Sequence, residues 1–519
     1  MSQKFDHIII GEGFGGAACA VILRKIFKKN VALVFDNGGN KGSYDKNGKM
    51  VWLQDYGIYS FGEVEYGTRL REIIDFVTGK RMKWEKYPSR YEKVYFPNFT
   101  YEFNELFEYH KEDLIKTFPE EEQNILKYFD EMEQIANFSS LVILDQILPG
   151  YITLPLKLIS RKKFRSTNLT IQEYFDKRFD NLKLKAILAS RWENCGAMPQ
   201  ECSLIVHSIF IYHYLAGAHY PVNGVKELVS QMFREFVSAG GVLFTNHQLE
   251  EILVHKGKAT GVRISTFSKG ERETADLLAG SVISDAGAVN TYRNLIKSGV
   301  SERMLRDIDE FKPQGVLFRI KFEMKDNPAK IGATGADIRV YNTFSFITRN
   351  KMTADYGEKP ELSYLVSFDS MKDPSRKDNR VEVVSFMDKI LFDFFNAHYN
   401  TDEKLNLLVK KIINDIDSRL PGFRNLIRDY TIVRPTEKTI NDSRITTLGV
   451  PPIPARYRQK WLKIKTPVKN LYLTGQDVYC PGIPGAFLGA VATAGSLNGR
   501  FGFFKLLGKI KKAIYPETR

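Results

Sequence analysis

Phe5-Asp6-His7-Ile8-Ile9-Ile10-Gly11-Glu12-Gly13-Phe14-Gly15-Gly16 stands near the start of this 519-residue chain, and its reading decides the fold. Ile8 to Ile10 form an apolar run bounded by glycine, the pattern of a strand buried on both faces of a parallel sheet. Gly11, Gly13 and Gly16 stand at the spacing of a dinucleotide fingerprint. The first permits a tight turn, the second lets a pyrophosphate approach the backbone, and the third lets helix pack closely on strand. Small residues follow (Ala17, Ala18, Cys19, Ala20), then Val21, Ile22 and Leu23. A helix therefore begins here with its N-terminus toward the phosphates. A second apolar strand, Val31 to Phe35, ends in Asp36, placed to accept hydrogen bonds from a ribose.

The opposite end of the chain supplies a matching element. Leu471 to Leu473 read as a strand ending in Gly475-Gln476-Asp477, and Gly482 and Gly485 open a small-residue helix through Ala490, Ala492, Ala494 and Gly495. A carboxylate ahead of a glycine-rich helix start can bind a polyol hydroxyl beside a phosphate. Asp36 favours a ribose with a free 2′-hydroxyl, in NAD or in the adenosine half of FAD. The C-terminal element favours FAD, whose ribityl chain needs a second site that simple NAD dehydrogenases lack.

The segment Thr466-Pro467-Val468-Lys469-Asn470-Leu471-Tyr472-Leu473-Thr474-Gly475-Gln476-Asp477 resembles the C-terminal flavin signature of the phytoene desaturase-like flavoproteins. With the following Gly485-Ala486-Phe487-Leu488-Gly489-Ala490, it is most similar to the retinol saturase branch. Tyr220-Pro221-Val222-Asn223-Gly224-Val225 resembles the turn near the flavin ring in these enzymes. Gly240-Gly241-Val242, Leu249-Glu250-Glu251-Ile252 and Gly257-Lys258-Ala259-Thr260-Gly261-Val262 resemble their adenine-side hairpin, and Val282-Ile283-Ser284-Asp285-Ala286-Gly287-Ala288 the strand and turn after it. The resemblance implies FAD held by Gly11, Gly13, Phe14, Gly15, Gly16, Asp36, Gly224, Leu249, Ser284, Asp285, Gly475, Asp477, Gly485 and Ala486. Three features depart from the family. Asp36 stands where glutamate is usual, Gly38-Gly39-Asn40-Lys41-Gly42 is a short glycine signature, and Ile440 to Pro454 lacks a saturase's glycine-rich wording.

The implied fold is an α/β Rossmann-type FAD-binding domain with an interleaved α+β substrate domain of mixed sheet plus helices. Residues 1–75, 216–290 and 466–500 would build the FAD domain. Residues 76–215 would supply substrate-domain helices, 291–465 its mixed sheet and helices, and 501–519 a basic amphipathic tail. Glu121 to Phe138 has helical periodicity. Gly315–Ile320, Leu362–Ser367 and Val381–Phe386 read as strands, and Asp402 to Arg419 as a helix stopped by Leu420-Pro421-Gly422.

The implied chemistry is hydride exchange between flavin N5 and a C=C bond of a hydrophobic polyene, retinoid or carotenoid, by a saturase, desaturase or isomerase. With one dinucleotide fingerprint, the electron donor or acceptor (NAD(P)H, a quinone or a redox protein) would dock transiently. Tyr479 and Cys480 follow the flavin carboxylate and could face the ring or simply pack. His219 and Tyr220 precede the Pro-Gly turn and could donate a proton or form a structural pair. The stripe Ile205, Ile209, Tyr212 and Leu215 reads as core. Two other classes stay open, a flavin amine oxidase and a non-catalytic prenyl-lipid chaperone of the GDP-dissociation-inhibitor type.

Composition bounds the setting. A chain of this length, 43% hydrophobic, can bury a core for two joined domains. Cys19, Cys195, Cys202 and Cys480 have neither metal-ligand nor disulfide-framework spacing, and only Cys480 lies near a functional segment, so a reducing, cytoplasmic setting is expected. His207 and His213 are six apart, off a shared helix face, and no metal is expected. No long uncharged apolar run and no leader is evident. A net charge of +14 comes without a nucleic-acid motif. Peripheral contact with an anionic membrane is expected instead, at Ile147 to Ile159 with Arg161, Lys162, Lys163 and Arg165 after it. The tail is the second such place, with Phe501, Phe503, Phe504, Leu506, Leu507, Ile510 and Ile514 among Lys505, Lys509, Lys511 and Lys512. The alternative for the tail is a helix packed on its own domain.

Overall fold

Ile8, Ile9 and Ile10 are fully buried in the strand Lys4–Ile10, which lies between parallel neighbours on both sides. This is the middle of a seven-stranded sheet in a computed structural model. The structure describes residues 4–35, 43–44, 50–51, 60–147, 153–155, 168–214, 216–245, 247–268, 271–311, 315–348, 362–437, 449–499 and 502–516. Across this sheet the order is Gln248–His255, Lys258–Ser268, Glu271–Ser284, Lys4–Ile10, Val31–Val34 and Val242–Phe244, with Leu471–Leu473 pairing parallel to the end of Glu271–Ser284. Segments from both ends and the middle of the chain therefore share one sheet. Their shared side chains form a single apolar cluster with the helices Phe14–Lys25, Val225–Ser238 and Gly482–Ser496.

A second seven-stranded sheet runs Ile427–Val433, Val316–Met324, Arg380–Met387, Tyr364–Ser367, Asp337–Val340, Arg90–Phe96, Phe99–Asn104. Only the Asp337–Val340 and Arg90–Phe96 pair is parallel. Helices Lys389–His398 and Asp402–Arg419 bury Phe392, Phe395, Leu405, Val409 and Ile416 into the cluster on this sheet. The latter helix has the expected limits, and the Thr401 side chain caps it by accepting from Lys404 N.

One expectation is corrected. Residues 76–215 are not helices alone. Arg90–Phe96 and Phe99–Asn104 form a hairpin around Pro97-Asn98, with Asn98 at φ +64°. Val94 and Phe96, then Tyr101 and Phe103, alternate inward, a period-2 pattern hidden inside an aromatic-rich stretch. The tail takes the alternative expected of it, a helix packed on its own domain. Helix Gly502–Ile514 buries Phe503, Leu506, Ile510 and Ile514 in the FAD-domain cluster, and Lys80 Nζ donates to Ile514 O at 2.5 Å. Its lysines and Phe504 remain outside.

Candidate flavin site

The two glycine turns meet at one carboxylate. Asp285 follows the strand Glu271–Ser284; its amide donates to Ile10 O at 2.8 Å, and its Oδ2 accepts from Gly16 N at 2.7 Å. Gly11 stands at φ +101°, and a Cβ there would lie 2.8 Å from the Asp285 carbonyl carbon. A Cβ on Gly15 would lie 2.7 Å from Asp285 Oδ1, and one on Gly13 or Gly475 would run into the same carboxylate. Gly475 stands at φ +82°. The glycine fingerprint thus makes room for Asp285. Helix Phe14–Lys25 has no side-chain cap and no acid in its first turn, so Asp285 supplies the anion that the positive helix end favours.

Helix Gly482–Ser496 packs on this first helix, with the Phe14 and Phe487 rings 6.2 Å apart. Gln476 Oε1 accepts from Gly482 N at 2.9 Å. A Cβ on Gly485 would strike the Cys480 carbonyl, and one on Gly489 the Gly475 carbonyl; Ala486 is buried beside them. Two helices from opposite ends of the chain therefore pack together over glycine turns. Side-chain-free backbone at a helix N-terminus fits a dinucleotide pyrophosphate.

The remaining expected contacts are spread around this centre. Asp477 is buried, and both its oxygens are engaged: Oδ2 accepts from Ala288 N at 2.7 Å and Oδ1 from Val450 N at 2.8 Å. A polyol hydroxyl there would use a second lone pair. Ser284 Oγ lies 2.6 Å from Thr291 Oγ1. Leu249 is buried opposite Ile264 in the antiparallel edge, and Gly224, at φ +77°, begins the helix Val225–Ser238. Asp36 and Gly38 to Gly42 lie outside the described residues, as do Leu215, 438–448 and nearly all of 148–167.

The four catalytic candidates separate. Tyr479 is buried with its hydroxyl 2.8 Å from Ser139 Oγ, and burial pushes its pKa well up. Burial pushes the Cys480 thiol up to about 12, so it is a neutral thiol rather than a nucleophile. His219 pairs with Glu65 through Nε2 and Oε1 at 3.1 Å. Its Nδ1 is buried without a hydrogen-bond partner among the described residues. Desolvation holds the His219 pKa below its ordinary value, with Glu65 opposing. Tyr220 is buried next to it in the strand His219–Pro221. The stripe of the helix Leu204–His213 divides: Ile205 is core, while Ile209 and Tyr212 are half-buried.

A second histidine–glutamate pair escaped the sequence reading. His213 Nε2 accepts from Gly62 N at 2.9 Å, so its proton sits on Nδ1, which faces Glu63 Oε2 at 3.1 Å. Phe61 pairs both ways with the His219 backbone at 2.8 Å. The loop from Ser60 to Tyr66 thus anchors both histidines, and the charge of Glu63 reaches Tyr479 and Cys480. No local signal shows this, because the partners stand 150 residues apart. Cys480 is also not isolated from the other thiols. The potential of Cys195 acts on it, and Cys195, beside Cys202 and His207, is held down to about 6 by the hydrogen bond from Cys202 first and by His207.

Fold and site together define an α/β oxidoreductase of the FAD-binding class. A family model described as GMC oxidoreductase matches residues 217–318. Cyclohexylamine oxidase from Brevibacterium oxydans has the same fold, at TM-score 0.57 and 12% identity, over 98% of this chain and 100% of its own. All-trans-retinol 13,14-reductase of Danio rerio is 26% identical over 538 residues, 95% of this chain and 86% of the relative. Prolycopene isomerase of Daucus carota is 23% identical over 57% of this chain and 48% of its own. The resemblance to phytoene desaturase-like flavoproteins, with the retinol saturase branch foremost, is borne out along nearly the whole chain.

Proposed function

We propose that the chain binds FAD and catalyses hydride exchange with a carbon–carbon double bond of a hydrophobic polyene, a retinoid or carotenoid. The observation that carries this is the meeting of the N- and C-terminal glycine turns at Asp285. The relatives that act on retinol and prolycopene supply the substrate class. Backbone amides of Gly13 to Gly15 would hold the pyrophosphate, Asp36 the adenosine ribose, and the stretch from Gly475 to Ala486 the ribityl side. Ser284, Leu249 and Gly224 would line the remainder. When bound, the flavin supplies the hydride chemistry.

The chain's own contribution is orientation, exclusion of water and a proton. His219 is the group best built for the last. Its Nε2 faces a half-exposed carboxylate, Glu65, while its Nδ1 is buried without a hydrogen-bond partner among the described residues. An imidazole in that position can relay a proton from solvent to a buried carbon in one direction and remove it in the other. Tyr220 and Tyr479 are donors of last resort, since burial keeps the Tyr479 hydroxyl bound to its proton. The electron partner docks from outside.

Peripheral contact with a membrane from the cytoplasmic side belongs to the same reading. It rests on the apolar-basic stretch 147–165 more than on the tail, whose apolar face is used internally. Among the described residues no helix is long and apolar enough to cross a membrane.

The test begins with the absorbance spectrum of the purified protein and acid release of its chromophore. FAD near one per chain is expected, with anaerobically reduced enzyme reoxidised by all-trans-retinol or a carotene. A protein that stays colourless with added FAD would favour the lipid chaperone. Reduction of bound flavin by amines rather than polyenes would favour an amine oxidase.

A further inference from the structure

Arg191 is 5% exposed, and four rings surround its guanidinium. The centroids of Tyr214, Phe210, Tyr91 and Phe103 lie 4.2, 4.6, 5.2 and 5.6 Å from Cζ. Nη1 donates to the Tyr91 hydroxyl at 2.8 Å. Nε lies 3.5 Å from Glu92 Oε2, yet neither Nε nor Nη2 has a hydrogen-bond partner among the described residues. A guanidinium carries five N–H donors, and buried donors of a charged group left unmatched are strongly unfavourable.

Its neighbour Arg339 shows what a structural arginine in this interior looks like. Arg339 Nε donates to Glu92 Oε1 at 2.9 Å and Nη1 to Glu193 Oε2 at 2.7 Å. Arg339 thus takes Oε1 of Glu92, and Oε2 faces Arg191 Nε beyond good hydrogen-bond distance. The two arginines face two carboxylates, Glu92 and Glu193, so the group is balanced in charge but short of acceptors. What Arg191 lacks is an oxygen, and the local charge requires no anion.

The position of Arg191 ties this to the candidate site. Phe210 and Tyr214 lie at the end of the helix Leu204–His213, where Ile209, Phe210, Ile211 and Tyr212 are half-buried despite their apolar character. His213 of the same helix holds Gly62 and Glu63, and Tyr214 stacks parallel to Tyr91. The tyrosine hydroxyl of Tyr214 reaches Ser60 Oγ at 3.0 Å, at the start of the loop that anchors His219.

We propose that Arg191 anchors the oxygen-bearing end of an otherwise apolar ligand, donating from Nη2 and Nε to a neutral alcohol or carbonyl oxygen. The rings of Phe210, Tyr214, Tyr91 and Phe103 hold the adjoining hydrocarbon. This rests on the polyene reading above and sharpens it: the preferred ligand is an oxygenated polyene, held by its polar end, rather than a pure hydrocarbon.

The test measures binding to the FAD-loaded protein, by ligand fluorescence, of all-trans-retinol and of the same polyene lacking the hydroxyl. The wild-type protein is expected to favour retinol by roughly ten- to hundredfold, the range for hydrogen bonds to a charged group. Arg191→Met should bring that preference below about threefold while leaving the hydrocarbon's affinity unchanged, and Arg191→Lys should restore part of it. Equal binding of the two ligands by the wild-type protein would overturn the proposal whatever the variants do. So would parallel weakening of both ligands in Arg191→Met, the mark of lost packing. Should Arg191→Met lose FAD, Arg191→Leu, which also removes every donor, replaces it with the same expected loss of preference. Discrimination without turnover would sink the redox reading and leave the anchor standing, whereas failure to bind either ligand would sink both.

Discussion

The glycine turn at Gly11 to Gly16 and the interior around Arg191 and Glu92 are both assembled from distant segments, but they are legible to different degrees. In the turn, one member is a run of adjacent residues whose spacing alone implies a backbone shape, and the distant partner, Asp285, only fills it. In the interior no member is informative by itself. Arg339, Glu92 and Glu193 are ordinary charged residues until the Arg90–Phe96 and Asp337–Val340 strands pair and bring them within hydrogen-bond reach, with Arg191 left beside them short of acceptors. Backbone geometry leaves a trace in sequence; side-chain complementarity across strands does not.

The sharpest way to break this contrast is at Gly15. Gly15→Val should abolish stoichiometric FAD binding, measured as flavin released per chain, because its side chain meets both Gly475 and the Asp285 carboxylate. Gly13→Val should do the same. Asp285→Ala should restore more FAD binding to Gly13→Ala than to Gly15→Ala, since Gly15 also faces the Gly475 backbone. Equal recovery would mean that pyrophosphate approach alone sets both positions.

On the substrate side, His219→Gln should slow polyene-dependent reoxidation of reduced enzyme by about 10²-fold, the lower range of general acid–base catalysis, with FAD content unchanged. Glu65 raises the His219 pKa against the larger lowering by desolvation. Glu65→Gln should therefore move the limb of the rate profile that needs protonated imidazole to lower pH. In the folded protein His219 resists protonation. By proton linkage the neutral imidazole contributes nothing at neutral pH, and stability falls as pH drops below the ordinary histidine value of about 6.5, where the unfolded chain takes up a proton that the folded one resists. A rate profile identical in Glu65→Gln would leave the pair a structural one.

Leu506→Ala should cost about 2–5 kcal/mol of unfolding free energy, as for a leucine removed from a packed core, because Leu506 is fully buried under the FAD domain. If urea denaturation shows no loss while binding to anionic vesicles falls, the tail is a membrane element after all. The smallest effect belongs to a local rule: Thr401→Ala should cost about 1 kcal/mol by removing the cap on Lys404 N.

How much was legible follows the same division. The helix Asp402–Arg419 matched its expected limits because cap, apolar period and a Pro-Gly stop all lie within one segment. The hairpin Arg90–Asn104 was missed because its alternation is carried by aromatic residues that suit helix and strand packing equally. The tail showed its amphipathic stripe plainly, but amphipathicity says only that one face must be covered, and the covering turned out to be the chain itself. Tyr479 and Cys480 stood next to Asp477 in sequence, yet burial removed both from easy proton chemistry.

From the order of residues alone followed the Rossmann turn, its placement at both chain ends, the flavin class and the strands and helices with a clean period. These depend on contacts a few residues apart. The pairing of His213 with Glu63 and His219 with Glu65, the seat of Asp285 among five glycines, the unmatched donors of Arg191 and the internal use of the tail came from folding. Each depends on atoms brought within about 3 Å by strand register and helix packing, and one-dimensional spacing holds no record of those distances.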